Sequence, residues 1–323
     1  MSNIEMIRAA AERLAPVVRR TPLLSSPFLD EIAGRRVFVK AECLQHTGSF
    51  KFRGGWAAVS ALNAEQRANG VIAYSSGNHA QGVALAAKRH GVEAVIIMPK
   101  NAPTLKIANT RALGAEVVFY DRDTEDRDKI GDEMAAARGL TLIKPFNEPQ
   151  VIAGQGTVGL EIAEQAAVEG ITDAEVLVCC GGGGLTSGIA LALEATVPNM
   201  RVRTCEPEDA DDVARSLRSG KLTGNAAPST SICDAIITPI AGDITFEIMK
   251  RLCGEGLSVS DHEAMLAMAH AFQRLKIVLE PGGAVALAAA LFQPENIQSD
   301  TVIAVATGGN VDAAVFAQSL ELL

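Results

Sequence analysis

The feature that most constrains the fold is a repeated alternation of short apolar strands with helical segments along most of the chain. Residues 71–74, 94–98 and 116–120 have the composition of buried strands, and a helical pattern follows each of them. The alternation resumes at residues 176–180 and ends with a strand at residues 301–306. Repeated βα units bury parallel strands between helices, so the sequence predicts an α/β protein. The 323 residues are enough for about two domains, each with a mostly parallel, helix-covered sheet.

The composition and net charge of the chain argue against some classes of binding partner. Hydrophobic residues make up 48% of the chain, and the net charge is −9 without any basic run. Nucleic acids and anionic membrane surfaces attract basic patches, so we expect neither as a partner. No apolar stretch is long enough to span a bilayer, and residues 1–5 lack the pattern of a secretory signal. The six cysteines lack C-x-x-C spacing, which predicts free thiols in a reducing cytoplasm, without a zinc site or disulfide framework.

One lysine has an unusual setting within the segment Gly-Ser-Phe-Lys-Phe-Arg-Gly-Gly at residues 48–55. Phe50 and Phe52 flank Lys51, and apolar neighbours remove water from an amine and favour its neutral form. A neutral amine is the nucleophile that forms a Schiff base with an aldehyde cofactor. The alternative is an ordinary surface lysine whose aliphatic stem packs on the protein while its charge stays in water.

Four consecutive glycines, residues 181–184, join the predicted strand at residues 176–180 to a helix. Bare backbone at such a junction lets an anion approach the N–H groups and the positive end of the helix dipole, which predicts a phosphate cup. The spacing differs from the G-x-G-x-x-G of dinucleotide-binding proteins, and no P-loop lysine follows. The alternative is a tight turn, although four glycines exceed what a turn requires.

Two further loops follow predicted strands and carry small polar residues. Residues 75–78, Ser-Ser-Gly-Asn, lead into a helix, where their amides and hydroxyls suit a substrate carboxylate; the alternative is ordinary N-capping. His79 is either a ligand contact or a packed helix residue. Thr307 ends the last strand and precedes two glycines. Because parallel sheets bind ligands at the carboxyl ends of their strands, we expect these loops, the lysine and the glycines to meet in one crevice.

These segments occur in a characteristic order, namely Thr-Gly-Ser-Phe-Lys-Phe-Arg-Gly at 47–54, Ser-Ser-Gly-Asn-His-Ala-Gln at 75–81, Ala-Gly-Gln-Gly-Thr at 153–157, the glycines at 181–184 and Thr-Gly-Gly-Asn at 307–310. Together they resemble the fold type II pyridoxal-phosphate enzymes, whose fold is tryptophan synthase β-like. The branch that they resemble most contains serine and threonine dehydratases and serine racemases, and the match spans residues 20–315. The resemblance implies a large cofactor-binding domain, at residues 1–47 and 148–323, and a small domain at residues 48–147.

The resemblance also implies individual roles. Lys51 would bind pyridoxal 5'-phosphate covalently and then act as a base at the substrate Cα, while Phe50 would pack against the cofactor ring. Asn78 would hydrogen-bond the ring 3-hydroxyl, and Thr307 would face the pyridine nitrogen, where the family usually has serine. A neutral hydroxyl there weakens the electron sink and suits elimination. The phosphate would be held by the glycine loop and the amide that follows it, at Gly181, Gly182, Gly183, Gly184 and Leu185.

An acidic segment, Glu-Pro-Glu-Asp-Ala-Asp-Asp at residues 206–212, resembles the divalent metal loop of the same family. Glu206 and Asp212 would supply carboxylates and Ala210 its carbonyl oxygen. Hard oxygen ligands completed by water suit Mg²⁺, Mn²⁺ or Ca²⁺. The alternative is an acidic helix start that the helix dipole stabilises.

The resemblance implies a dehydratase, or ammonia-lyase, that acts on a β-hydroxy amino acid such as L-threonine, L-serine or 3-hydroxyaspartate. It also implies a substrate site at Ser75, Ser76, Asn78 and His79, and a homodimer. Arg127 resembles a position near the substrate, where it would meet a second carboxylate; a solvated helix charge is the alternative.

Two other functions remain open. In a serine racemase, Ser76 would act as acid and base on the face of the substrate opposite Lys51. Phe146 stands where racemases often have a polar residue, and Tyr74 stands where histidine is expected, so elimination is favoured. In a non-catalytic phosphate- or amino-acid-binding protein, Lys51 would have no role, which argues against that class.

Overall fold

The computed structural model describes residues 2–75, 77–102, 104–121 and 124–323. The strands in these ranges are β1 Leu23–Ser25, β2 Arg36–Ala41, β3 Val71–Tyr74, β4 Ala94–Pro99, β5 Glu116–Tyr120, β6 Thr141–Leu142, β7 Ala174–Cys179, β8 Met200–Pro207, β9 Leu257–Val259 and β10 Thr301–Ala306. They form a larger sheet in the order β1-β2-β10-β7-β8-β9 and a smaller one in the order β5-β4-β3-β6. Every neighbouring pair is parallel except β1 with β2, so the predicted α/β architecture with two mostly parallel sheets is confirmed.

Helices cover the faces of both sheets. In the described ranges they are α1 Ile4–Leu14, α2 Pro27–Ala33, α3 Lys51–Ser60, α4 Ala64–Asn69, α5 Asn78–His90, α6 Thr104–Ala112, α7 Arg127–Arg138, α8 Pro149–Val168, α9 Gly184–Thr196, α10 Asp212–Ser219, α11 Asp243–Leu252, α12 Asp261–His270, α13 Pro281–Phe292 and α14 Ala313–Leu320. Short 3₁₀ turns lie at Glu42–Leu44, His46–Gly48, Glu208–Ala210 and Pro294–Asn296, and α12 continues as a π-helical turn at Ala271–Leu275. Within the described ranges, no helix combines the length and apolar character needed to cross a membrane.

The register of the larger sheet brings several strand ends to one edge. Ala306 at the end of β10 pairs with Ala41 at the end of β2, and on the other side β10 pairs with β7. The loops that leave these three parallel strands therefore emerge side by side, and they carry the lysine segment, the Thr307 segment and the four glycines. The strands of the smaller sheet all lie within residues 48–147, and those of the larger sheet all lie outside it, although the domain boundaries themselves stay a prediction.

The first helix is shorter than the apolar pattern predicts. The side chain of Asn3 caps the helix by accepting a hydrogen bond from the Met6 amide, and Ile7, Ala10 and Leu14 are buried as expected. The pattern predicts that the helix continues to residue 18, whereas it ends at Leu14. Proline has no backbone N–H, so Pro16 ends the series of helical hydrogen bonds.

Candidate active site

A cavity of 820 Å³ is lined by residues from both sheets, and the loops that the sequence predicts to meet do so there. The predicted site residues among its lining are Phe50, Lys51, Ser75, Asn78, His79, Arg127, Gly181, Gly182, Gly183, Gly184, Leu185 and Thr307. Ser76, which would be the acid and base on the substrate face opposite Lys51, lies outside the described residues. Glu206, Ala210 and Asp212 are not part of this cavity lining.

Lys51 is the first residue of α3, and its amine is held at the cavity wall. Nζ donates a hydrogen bond of 2.9 Å to the Pro145 carbonyl oxygen and lies 5.1 Å from the centre of the Phe50 ring. Burial lowers the pKa of Lys51 to about 8, because the charged form loses its water. The apolar setting predicted from the sequence is therefore present, and about a tenth of this amine is neutral at pH 7.

The position of Lys51 depends on close packing between α3 and α5. A side-chain carbon added at Gly82 of α5 would lie 2.9 Å from the Lys51 carbonyl oxygen, and one added at Gly55 would lie equally close to the Gly82 carbonyl oxygen. Only glycine at both places lets the two helix backbones approach this closely. This contact sets the lysine beside the loop that starts α5.

A buried ionic network connects the same helix to the end of β2, to the turn that follows β2 and to α8. The Arg53 guanidinium donates to both Glu42 and Glu161, with shortest distances of 2.7 Å, and Lys40 Nζ lies 2.5 Å from Glu161. Arg53, Lys40 and Glu42 are all 0% exposed. Burial acts to raise the pKa of Glu161, but Arg53 and Lys40 hold it below its usual value. Two positive and two negative charges thus neutralise each other in the interior.

The four glycines connect β7 to α9, and Gly184 is the first residue of α9. Gly183 has φ of +86°, a left-handed conformation that suits glycine, and α9 begins at the next residue. Among the described residues, the six backbone amides at 181–186 have no hydrogen-bond acceptor. The first amides of a helix are unsatisfied by geometry and attract anions, so this turn has the free donors of the predicted phosphate cup.

The loop after β3 presents polar groups to the cavity. Ser75 Oγ accepts a hydrogen bond of 3.1 Å from the Gly77 amide, which curves the chain towards α5. Asn78 begins α5, and its side chain is held by hydrogen bonds to Glu280 and Asn310 at 2.6 and 2.7 Å.

His79 lines the same cavity, but its imidazole is already engaged. It is 2% exposed, and Nε2 donates a hydrogen bond of 3.0 Å to the Ile143 carbonyl oxygen. Burial lowers the pKa of His79 to about 3, and the charge of Lys51 adds to the fall. This histidine is therefore neutral at physiological pH and does not act there as a proton donor in its charged form.

Thr307 immediately follows β10 and lines the cavity. Its carbonyl oxygen accepts a hydrogen bond of 3.1 Å from the Phe50 amide, and the Gly309 amide donates to Gly48. These bonds tie the lysine segment to the end of β10. The Thr307 side chain is 4% exposed and contacts the thiol of Cys179, so a buried hydroxyl is present where the sequence predicts it.

Cationic side chains lie at the rim. Arg127 at the start of α7 stacks on the Tyr74 ring at 5.1 Å and lies 3.5 Å from Asp128, with 45% of its side chain exposed. Lys106 on α6 pairs with Asp234 at 3.2 Å across the mouth of the cavity. Both cations line the cavity, so anionic groups of a ligand would meet positive charge there.

The acidic segment 206–212 lies at the end of β8. The Glu206 carboxylate accepts hydrogen bonds from the Val213 and Ala214 amides at 2.9 and 2.7 Å and so caps α10. Asp212 accepts from Asn225 and from the Ala241 amide. Burial raises the pKa of Glu206 well above its usual value, and that of Asp212 to about 6. In the described ranges, no group of three or more His, Cys, Asp or Glu side chains is placed to hold a metal ion.

Comparison with known proteins decides the family. Residues 14–308 match the family described as pyridoxal-phosphate dependent enzyme. The chain belongs to this family. L-threo-3-hydroxyaspartate ammonia-lyase of a Pseudomonas species is 44% identical to it over 99% of both chains. Serine racemase of Schizosaccharomyces pombe is 41% identical over 98% of this chain and 96% of its own. The structure of maize serine racemase has a TM-score of 0.92 and 37% identity, over 99% of this chain and 97% of its own.

The cavity of this pyridoxal-phosphate dependent enzyme has the features that its cofactor requires. The unsatisfied amides at residues 181–186 offer donors to a phosphate, and Lys51 offers a half-buried amine to an aldehyde. Asn78 and Thr307 line the same cavity. The residues present therefore fit pyridoxal 5'-phosphate, and each of them was predicted from the sequence.

Several residues in or next to the cavity were not predicted as site residues. Glu280, immediately before α13, is 3% exposed and accepts a hydrogen bond from Asn78, and Asn310 donates one to Asn78. Glu280 precedes Pro-Gly-Gly, which is an ordinary helix-start pattern and conceals any other role. Asn310 lies in the Thr-Gly-Gly-Asn segment that the sequence already singled out, so that motif was the available signal. No local sequence pattern marks Lys106 or Asp234 as a site residue.

Proposed function

We propose that this enzyme is an ammonia-lyase that eliminates water from a β-hydroxy amino acid and releases a 2-oxo acid and ammonia. The observation that carries the proposal is the half-buried Lys51 amine, with its pKa lowered to about 8, in one cavity with an unsatisfied anion cup. The full-length relative that is 44% identical has an ammonia-lyase name, which supports the same reaction class.

The side chains have separable tasks in this reaction. When bound, pyridoxal phosphate withdraws electrons from the substrate Cα and makes its proton acidic. Lys51 Nζ takes that proton, and its lowered pKa supports its role as a base near neutral pH. The start of α5 offers its amides to the substrate carboxylate. The electron pair left at Cα forms the double bond to Cβ as the hydroxyl leaves with a proton as water, and hydrolysis then yields the 2-oxo acid and ammonia.

We infer further that the substrate is dicarboxylic, of the 3-hydroxyaspartate type. Arg127 and Lys106 both line the cavity, and neither has a fully buried counter-ion: Asp128 and Asp234 are 57% and 60% exposed. Such loosely paired cations are available to a second carboxylate, whereas threonine or serine would leave them with only these exposed aspartates as partners. The hydroxyaspartate name of the 44% identical relative supports this choice.

A substrate panel tests both proposals. We expect 2-oxo acid release from L-threo-3-hydroxyaspartate with a kcat/KM at least about tenfold above that for L-threonine or L-serine, since one charge-assisted pair contributes about 1.5–3 kcal/mol. The Arg127→Met variant should lose this preference, while Arg138→Met, on the exposed part of the same helix, should retain it. Chiral analysis of L-serine reactions decides the racemase alternative, because more D-serine than pyruvate would contradict the lyase proposal. Equal rates on all three substrates would contradict the dicarboxylic preference.

We propose that the acidic segment holds a divalent cation, Mg²⁺, Mn²⁺ or Ca²⁺. Glu206 and Asp212 are both buried, their charges repel each other, and neither pairs with a lysine or arginine in the described part of the chain. Each of their oxygens has a second lone pair, and a cation shared with the Ala210 carbonyl and water would relieve the repulsion. The cap that Glu206 forms on α10 supports the alternative, an acidic helix start.

Removal of metal ions distinguishes a divalent cation site from an acidic helix start. We expect chelation to lower the melting temperature by about 5 °C relative to protein with the ion at about 100 times its Kd, together with a loss of activity. Re-addition of Mg²⁺ or Mn²⁺ should restore both. Glu206→Gln should abolish the response to the ion, whereas Glu208→Gln, an exposed acid in the same segment, should keep it. If metal-free wild-type protein keeps full stability and activity, the metal proposal is wrong and the acidic segment is only a helix start.

We also propose that the enzyme is a homodimer of the cytoplasm. Free cysteines suit a reducing compartment. We assign to one apolar patch the large hydrophobic residues Phe28, Ile32, Phe272 and Val278, which are 36–53% exposed. The Arg274 guanidinium lies over the Phe28 ring at 4.6 Å and connects the α2 part of the patch to the π-helical turn. Exposed apolar patches of this kind mark contacts between protein chains.

Sedimentation tests the dimer. The wild-type protein should sediment as a dimer, and the double variant Phe28→Asp, Phe272→Asp should sediment as a monomer, because charges would be buried without partners at the interface. Phe119→Asp, at an exposed phenylalanine of the smaller sheet, is the matched control and should remain dimeric. A monomeric wild-type protein, or a dimer that survives the double substitution, would contradict this assignment.

A further inference from the structure

Three polar side chains from distant segments form a hydrogen-bonded chain at the cavity wall. Asn310 follows β10, Asn78 begins α5 and Glu280 immediately precedes α13. Asn310 Nδ2 lies 2.7 Å from Asn78 Oδ1, and Asn78 Nδ2 lies 2.6 Å from Glu280 Oε1. Asn78 and Glu280 line the cavity, whereas Asn310 is not part of its lining. Three segments thus meet at one amide.

The chemistry of the outer partners determines the direction of every bond. The Thr47 carbonyl oxygen, which only accepts, lies 2.8 Å from Asn310 Nδ2, so that atom is the amide nitrogen. The same nitrogen donates to Asn78, which makes the bonded Asn78 atom the oxygen. Asn78 Nδ2 therefore donates to Glu280 and keeps one N–H unused. A flipped Asn78 amide would place two acceptors together at Glu280 and two donors together at Asn310.

Glu280 is well suited to the role of acceptor. It is 3% exposed, and its own amide donates to the Gly308 carbonyl oxygen at 3.0 Å, so its backbone is held against the loop after β10. Burial raises the pKa of Glu280 to about 7, the Asn78 bond opposes the rise, and the charges of Asp234 and Lys106 act in opposite directions. The ionised carboxylate accepts from Asn78 at Oε1, and the protonated acid still does so when its proton is on Oε2.

We infer that Asn310 and Glu280 are positioning residues that hold the Asn78 amide in one orientation, with its unused N–H directed to the 3-oxygen of the cofactor. The inference rests on the cofactor of the family and is independent of which substrate is used. An N–H donor stabilises the ionised form of that oxygen, whereas an amide oxygen would repel it. The protonation state of the bound cofactor, and with it the colour of the holoenzyme, therefore depends on two side chains beyond the one that meets the cofactor.

The absorption spectrum of the holoenzyme tests this without reference to turnover. The ionised cofactor absorbs in the visible and the un-ionised form in the near ultraviolet. We expect Asn310→Asp, which can only accept and so favours the flipped amide, to reduce the ratio of visible to near-ultraviolet absorbance at least about fivefold. Glu280→Leu should act in the same direction. Both should raise the Kd of the apoprotein for pyridoxal phosphate about tenfold, the value of one hydrogen bond.

Glu280→Gln is the matched control, because it retains an acceptor for Asn78 and should keep the wild-type spectrum and Kd. If Asn310→Asp and Glu280→Leu lower the melting temperature of the apoprotein but leave spectrum and Kd unchanged, the chain is only structural and the inference is wrong. If Glu280→Gln changes the spectrum as strongly as Glu280→Leu, the negative charge rather than the acceptor matters, and the inference is also wrong. A colourless wild-type protein would overturn the cofactor assignment and this inference with it.

Discussion

Lys51→Ala is expected to lower kcat by at least about 10³-fold and to remove the visible absorbance of the purified protein. The substitution deletes the amine that binds the cofactor covalently and the base that takes the Cα proton, and a positioned base alone contributes about 10²–10⁴-fold. The fold should persist, because Lys51 Nζ contributes one hydrogen bond, to the Pro145 carbonyl, and is only half-buried. Melting temperature and circular dichroism of the apoprotein check this.

Lys250→Ala provides the control for that experiment. This lysine donates to the Gly220 carbonyl, lies over the Phe246 ring and is not part of the cavity lining, so its loss should leave colour and rate unchanged. Borohydride reduction followed by peptide mass spectrometry identifies the lysine that holds the cofactor. A Lys51→Ala protein that keeps full activity, with the cofactor attached to another lysine, would show that the assignment of Lys51 is wrong.

Arg53→Met should lower the free energy of unfolding by about 3–5 kcal/mol. The substitution leaves Glu42 and Glu161 with Lys40 as their remaining cation, so the interior acquires an uncompensated negative charge. Because whole domains are stable by only about 5–15 kcal/mol, we expect a large fall in the urea midpoint. Arg53 also anchors the helix that begins at Lys51, so cofactor affinity should fall as well.

The Arg20–Glu164 pair is the matched control for the buried network. It has a comparable distance of 2.5 Å, but its side chains are 55% and 61% exposed. An ion pair in water contributes little, so Arg20→Met should change the free energy of unfolding by less than about 1 kcal/mol. Equal effects of Arg53→Met and Arg20→Met, measured by urea unfolding, would contradict the stabilising role of the buried network.

Strands and helices with strong local patterns were predictable. The strands at 71–74 and 116–120 and the helix at 78–90 have the bounds that the sequence predicts. Their apolar, β-branched composition and their glycine boundaries are local properties that hold in any tertiary context. The loop at residues 221–243 was also expected, and no helix or strand lies between Ser219 and Asp243.

Elements without an apolar pattern were missed. Leu23–Ser25 is a three-residue edge strand, and Ala64–Asn69 is a polar helix with no buried residue. The helix has a capping box between Asn63 and Gln66, which was the one sequence signal available. The short edge strand exists because β2 offers it an unpaired edge, and this is a property of the assembled sheet.

The sequence by itself determined the α/β class, the cofactor family and the lysine, glycine, asparagine and threonine segments of the site, because each depends on residues close together in the chain. Only the tertiary structure decided what supports them. Asn78 and Glu280 are 202 positions apart, and Arg53 and Glu161 are 108 apart. A hydrogen bond requires atoms to lie within about 3 Å in a defined direction, and no local pattern encodes which distant loops reach that distance. The packing of two sheets and the register of β10 beside β2 and β7 determine it.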